Sequence, residues 1–142
     1  MAILLLFVVA LSYGQRRPDQ EKIKSLKVAY ITESLNLTSS EAQAFWPIYN
    51  AHEEKMEAFR KKERANIYGK IRDMESLSDN EVEVLFEDLV ALENEKHKTQ
   101  QLFLKDIRKV LSAKKTFLLL KTEIGFKRRL LQQYRQKQGG GH

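Results

Sequence analysis

The chain contains no cysteine, which excludes disulfides and thiolate metal sites. Proline occurs twice and glycine six times in 142 residues, too sparse for a fold built on tight turns. There are three histidines. None belongs to a Glu-x-x-His pair of the di-iron type or to a His-Glu-x-x-His zinc motif. No glycine-rich phosphate loop is present either, so an enzyme is not expected. Long apolar runs are also lacking. The run AILLLFVVAL near the start has ten residues, half of the roughly 20 that a membrane-spanning helix needs.

What is present is charge, unevenly placed. Residues 15–95 carry 12 Lys+Arg against 17 Asp+Glu, whereas residues 96–142 carry 13 against 2. A basic C-terminal third can attract nucleic acid, anionic lipid or acidic protein, or it can face the acidic part of the same chain or of a second copy. The apolar run is followed by Ser12 and Gly14, small residues at the −3 and −1 positions of a cleavage before Gln15. This pattern reads as a secretory signal peptide over residues 1–14, although no basic segment precedes the apolar run. A single helical domain is expected over residues 15–137 and a flexible tail over 138–142. Export would place the protein in the periplasm of a Gram-negative envelope. It would also remove nucleic acid as a natural partner and leave no stable membrane insertion after cleavage.

The periodicity predicts four helices and an all-α fold. The first covers about Asp19 to Leu35, with Pro18 as a start signal and Ile23, Leu26, Tyr30 and Leu37 as its stripe. The second covers about Ser39 to Met74, with Phe45, Tyr49, His52, Met56, Phe59, Ile67, Ile71 and Met74 on one face. The third covers about Asp79 to Val110, from Val82 through Leu85, Leu89, Leu92, Lys96, Thr99, Phe103 and Ile107. The fourth covers about Ala113 to Gln136, with Phe117, Leu120, Ile124, Leu131 and Tyr134 in line. Two of these helices exceed 30 residues and have narrow stripes, interrupted by Glu63, Lys96 and Thr99. A narrow stripe favours pairing with one partner helix. The expectation is a curved helical hairpin, with two long, kinked helices, or a helix-exchanging dimer.

Three helix starts share a pattern: LTSSE from Leu37, LSDNE from Leu77 and LSAKK from Leu111. In each, a hydroxyl residue can accept from the backbone N–H three residues on. Glu41 and Glu81 can return the bond, giving a capping box. Lys115 occupies that position in the third copy and cannot. Opposite charge makes Glu41 and Lys115 candidates to pair if the two helix starts lie close. Pro47 cannot donate to the carbonyl of Gln43 and crowds the turn before it. A bend at Trp46-Pro47 around Phe45, Trp46 and Tyr49 is expected.

LTSSEAQAFWPIYN, behind a short helix and an export signal, resembles the periplasmic Spy/CpxP-type proteins. It is closest to the branch often labelled as sensors of ECF-type sigma factors. That family carries a Leu-Thr-x-x-Gln motif before its second and last helices. Leu37-Thr38 and Leu111-Ser112 fall at those places, with Glu41 and Lys115 standing where the family has glutamine and Ser112 where it has threonine. The resemblance extends over residues 19–136 and is most specific around 37–50. It implies an all-helical curved antiparallel homodimer. It also implies work as an ATP-independent chaperone, a stress-response modulator or a heavy-metal sensor. A modulator would act through a membrane-bound anti-sigma factor or sensor kinase, since a periplasmic protein cannot touch a cytoplasmic sigma factor.

Two sets of side chains are candidates for binding. Lys127, Arg128, Arg129 and Arg135, beside Leu130 and Tyr134, could hold unfolded or membrane-associated envelope proteins with acidic character. His52 with Met56, and Glu93 with His97, lie one helical turn apart and offer donors for zinc, nickel or copper. His52 and Met56 also fit the apolar stripe, and His97 lies in a polar run, so no cofactor is the first expectation. A cytosolic basic helical protein that binds nucleic acid is the remote alternative.

Overall fold

Three hydroxyl side chains decide where the long helices begin. Thr38 Oγ1 accepts from Glu41 N–H at 3.1 Å, and Glu41 Oε2 accepts from Thr38 N–H at 2.9 Å, starting α2 (Ser39–Glu63). Ser78 and Glu81 repeat this box and start α4 (Asp79–Val110). Ser112 Oγ accepts from Lys115 N–H at 3.2 Å at the start of α5 (Ala113–Gly139), with no return bond because lysine cannot accept one. Each hydroxyl cap is worth about 1 kcal/mol.

The computed structural model describes residues 17–139, and among them there is no strand. The signal peptide expected over residues 1–14 lies outside the described residues. The first helix, α1 (Arg17–Leu35), ends where Asn36 takes φ 45° and its N–H bonds Thr32 O at 3.2 Å. Asparagine is one of the few residues that adopts this left-handed conformation readily. The final helix continues through Gln138 to Gly139, so it enters the segment expected to be a tail. The rest of that segment is outside the described residues.

The helix expected over Ser39–Met74 is not continuous. α2 gives way to a π-helical turn, Arg64–Tyr68, then to the single turn α3 (Gly69–Ile71) and a 3-10 turn, Met74–Ser76. A π-turn inserts one residue into the helical repeat. It turns Ile67 inward, where it is buried, while Ile71 and Met74 are left exposed rather than in the stripe expected of them. Pro47 does not interrupt α2. The helix runs through Trp46 and Pro47, and the missing N–H leaves the carbonyl of Gln43 without its usual intrahelical donor.

The chain divides into two compact units. In Leu37–Phe117, α2 and α4 pair antiparallel, since higher positions on one meet lower positions on the other. Tyr49 meets Phe103 edge-on at 6.2 Å, and His52 stacks on Phe103 at 3.9 Å. Further along, Ile67, Leu85 and Leu92 form a buried cluster with Phe59, Leu77 and Leu89 packed against it. Between these apolar regions, Lys96 lies 3.6 Å from Glu63 and 2.7 Å from Glu93. The charged residues that interrupt the two stripes therefore meet each other across the helix pair. Their alkyl stems continue the packing while their heads are neutralised.

In the other unit, residues 17–36 and 118–139, α1 and α5 are in contact, Lys27 with Glu123 and Tyr30 with Phe126. Ile31, Leu35, Leu119, Thr122 and Phe126 are its buried residues. Tyr30 packs on Phe126 with ring centroids 5.7 Å apart. The Cβ of any other residue at Gly125 would stand 3.2 Å from Tyr30 Oη, so glycine allows this close approach. The stripe expected on α5 points the other way. Phe117, Ile124, Leu131 and Tyr134 are exposed, Ile124 by 62% and Tyr134 by 64%, whereas Leu119 is fully buried. Ile23 and Leu26 of α1 are likewise exposed, and Ile31 and Leu35 take their place inside.

Candidate protein-binding surface

The two motif copies meet. Lys115 Nζ donates to Glu41 Oε2 at 2.6 Å, both side chains about one quarter exposed. The same carboxylate oxygen takes the N–H of Thr38, so one acid caps α2 and holds the first turn of α5. The lysine hydrogen bond, followed by that from Thr38, holds the Glu41 pKa below the ordinary carboxylate value. The turn between α4 and α5 is only Leu111 and Ser112. Leu111 is buried, its N–H bonds Ile107 O at 2.8 Å, and its carbonyl accepts from Arg108 Nη1 at 2.6 Å. Leu37 is half-buried. This junction is hydrogen-bonded throughout and serves to fix helix starts.

The aromatic group that follows is packed on itself. Phe45 and Tyr49 are buried with ring centroids 5.3 Å apart, and Trp46 sets its edge against both, at 4.8 and 5.6 Å. An open groove of about 350 Å³ adjoins it, lined by Pro47, Ile48 and His52 of α2 and by Leu102, Phe103 and Asp106 of α4. His52 is part of the floor, buried and stacked on Phe103 with 10° between the planes. Met56 is half-buried one turn on, Glu93 hydrogen-bonds Lys96, and His97 is exposed. Among the described residues, no three His, Cys, Asp or Glu side chains are grouped to hold a metal ion.

The basic candidates on α5 separate into two sets. Arg129 faces α1, its guanidinium 5.9 Å from the Tyr30 ring centre, a cation–π contact. Leu130 is half-buried. Lys127, Arg128, Tyr134 and Arg135 are exposed on the outward side, with Ile124, Leu131 and Lys121. From Leu118 to Gly139, Glu123 is the single carboxylate. It lies on the flank, 3.8 Å from Lys27 of α1, so the outward face itself carries cations and no acid. Lys121 and Ile124 had no place among the sequence-derived binding residues. Their spacing of seven from Arg128 and Leu131 is the signal that groups them.

Among the described residues, no helix is long and apolar enough to cross a membrane. Comparison with protein-family models, curated proteins and solved structures gives no match.

Proposed function

We propose that the chain is an exported, non-enzymatic envelope-stress protein of the Spy/CpxP-like kind, and that it acts by binding other polypeptides. The observation that supports this reading is the outward face of α5. Ile124, Leu131 and Tyr134 remain exposed there among Lys121, Lys127, Arg128 and Arg135. Apolar surface of this kind, rimmed by charge of one sign, suits loose association with acidic, partly unfolded chains or with a membrane-bound regulator. The two capped helix starts and the Glu41–Lys115 contact support the family resemblance, since that motif is itself a helix cap in physical terms.

The test is suppression of aggregation of an acidic, chemically unfolded client by the full chain. The wild type suppresses at low salt and loses that effect at high salt. Arg128→Glu with Arg135→Glu weakens suppression, whereas Lys98→Glu on α4 does not. Suppression indifferent to both salt and the α5 pair would remove the reading. N-terminal sequencing of the expressed protein checks export: a mature chain starting at Gln15 is the expected result.

A further inference from the structure

α5 carries apolar side chains on two opposite faces. Leu119, Thr122 and Phe126 are buried, Phe126 against Tyr30 of α1, and nothing in the described unit covers the opposite side. That side follows a coiled-coil repeat. Leu120, Ile124, Lys127, Leu131 and Tyr134 step by four, three, four and three, which is a seam of period 3.5. One flank of the seam is Lys121, Arg128 and Arg135, each seven residues from the next and all exposed. The other flank, Glu123 and Leu130, is half-buried. The open flank is therefore wholly cationic, and the seam from Leu120 to Tyr134 runs about four turns, roughly 22 Å.

We propose that this seam receives one α-helix of an acidic partner, in a two-stranded coiled coil. The inference rests on the protein-binding reading above and specifies the partner's chemistry. Three features of the seam define the partner. Ile124 and Leu131 need apolar residues opposite them. Lys127, at a core-type position, needs a carboxylate there, and a single polar core residue of this kind sets register. Lys121, Arg128 and Arg135 need a row of carboxylates repeating every seven residues. A second copy of α5 laid antiparallel would bring the same flank of both helices together, cation against cation, so the seam selects against that self-pairing. An anionic lipid surface would satisfy the charge but has no use for a seven-residue repeat or for a lysine inside the apolar line.

The experiment uses the full chain and three labelled peptides of about three heptads each. The first has Leu and Ile core positions, glutamates on the flanks and one glutamate at a core position. The second has the same composition in scrambled order. The third carries lysines on its flanks. Binding is read by fluorescence anisotropy, with vesicles of phosphatidylglycerol and phosphatidylcholine as competitors. The patterned acidic peptide is expected to bind at least about tenfold more tightly than the scrambled one, and to gain helicity on binding. In the Arg128→Glu, Arg135→Glu protein the preference should swap to the lysine-flanked peptide, a gain that a misfolded variant cannot show.

Equal binding of patterned and scrambled acidic peptides overturns the proposal, as does displacement of the patterned peptide by phosphatidylglycerol vesicles but not by phosphatidylcholine. The two readings fail separately. If client suppression depends on Arg128 and Arg135 but the heptad order is immaterial, the helix partner is wrong and the binding function stands. If the swap occurs while client suppression ignores both arginines, the partner stands and the chaperone-like function falls.

Discussion

Lys115 Nζ donates to Glu41 Oε2 across 2.6 Å and 74 residues of sequence, tying the start of α5 to the start of α2. The contact is charge-assisted and largely sheltered, yet close enough to solvent to feel salt. A double-mutant cycle with Glu41→Gln and Lys115→Gln, followed by urea unfolding, should show favourable coupling that shrinks at high salt. The single change at Glu41 should leave the cap in place, because the glutamine amide oxygen still accepts from Thr38 N–H, so its cost is that of the lost charge on the Lys115 contact.

Acid should loosen the molecule in a defined window. Glu41, Glu57 and Glu81 are all held below the ordinary value of 4.5, by the hydrogen bonds of Lys115, Arg60 and Ser78 respectively. A carboxyl with a depressed folded-state pKa contributes stability that is complete above its unfolded value and is lost as pH falls through the folded one. Unfolding free energy should therefore fall from about pH 5 toward about pH 3. The triple variant Glu41→Gln, Glu57→Gln, Glu81→Gln should show a flatter dependence over the same range, measured by urea unfolding at each pH.

Lys96 works in the opposite direction. Its hydrogen bond to Glu93, helped by the charge of Glu63, raises its pKa above 10.5 against the opposing effect of burial. The stability it contributes is present below that ordinary value and is lost as pH climbs through the raised one. Lys96→Ala should destabilise by about 1 kcal/mol at neutral pH, since it strips Glu63 of its partner across the helix pair. Combining it with Glu63→Gln should recover part of the loss.

The inward and outward faces of α5 can be separated by truncation. Leu119→Ala removes a fully buried side chain and should cost about 2 to 5 kcal/mol. Ile124→Ala removes one that is 62% exposed and should stay within about 0.5 kcal/mol. Equal costs in thermal or urea unfolding would reverse the assignment of faces.

These faces mark the limit of what pattern alone could tell. The start of α4 and its end at Val110 were legible, because Ser78 and Glu81 announce the first and the stripe from Val82 to Ile107 is unbroken in phase. The pairing of Glu41 with Lys115 was legible from opposite charge at two like caps. On α5 two stripes coexist in the sequence, and the larger residues fall on the outer one. Burial went instead to Leu119, Thr122 and Phe126, where Gly125 and Tyr30 permit close helix contact. The π-turn after Glu63 was hidden because a one-residue insertion shifts helical phase without altering composition. The outward binding face was half legible: its arginines stood out by charge, but only the geometry separated Arg128 and Arg135 from Arg129.

The ring cluster around Trp46 has an optical consequence. Trp46 is the sole tryptophan of the chain, and its edge contacts with Phe45 and Tyr49 place it wholly within the unit Leu37–Phe117. Indole emission thus reports the melting of that unit alone, while far-ultraviolet circular dichroism sums the helices of both. Superimposable melting curves from the two signals would mark a single cooperative transition. A circular dichroism transition preceding the fluorescence one would show α1 and the end of α5 letting go first.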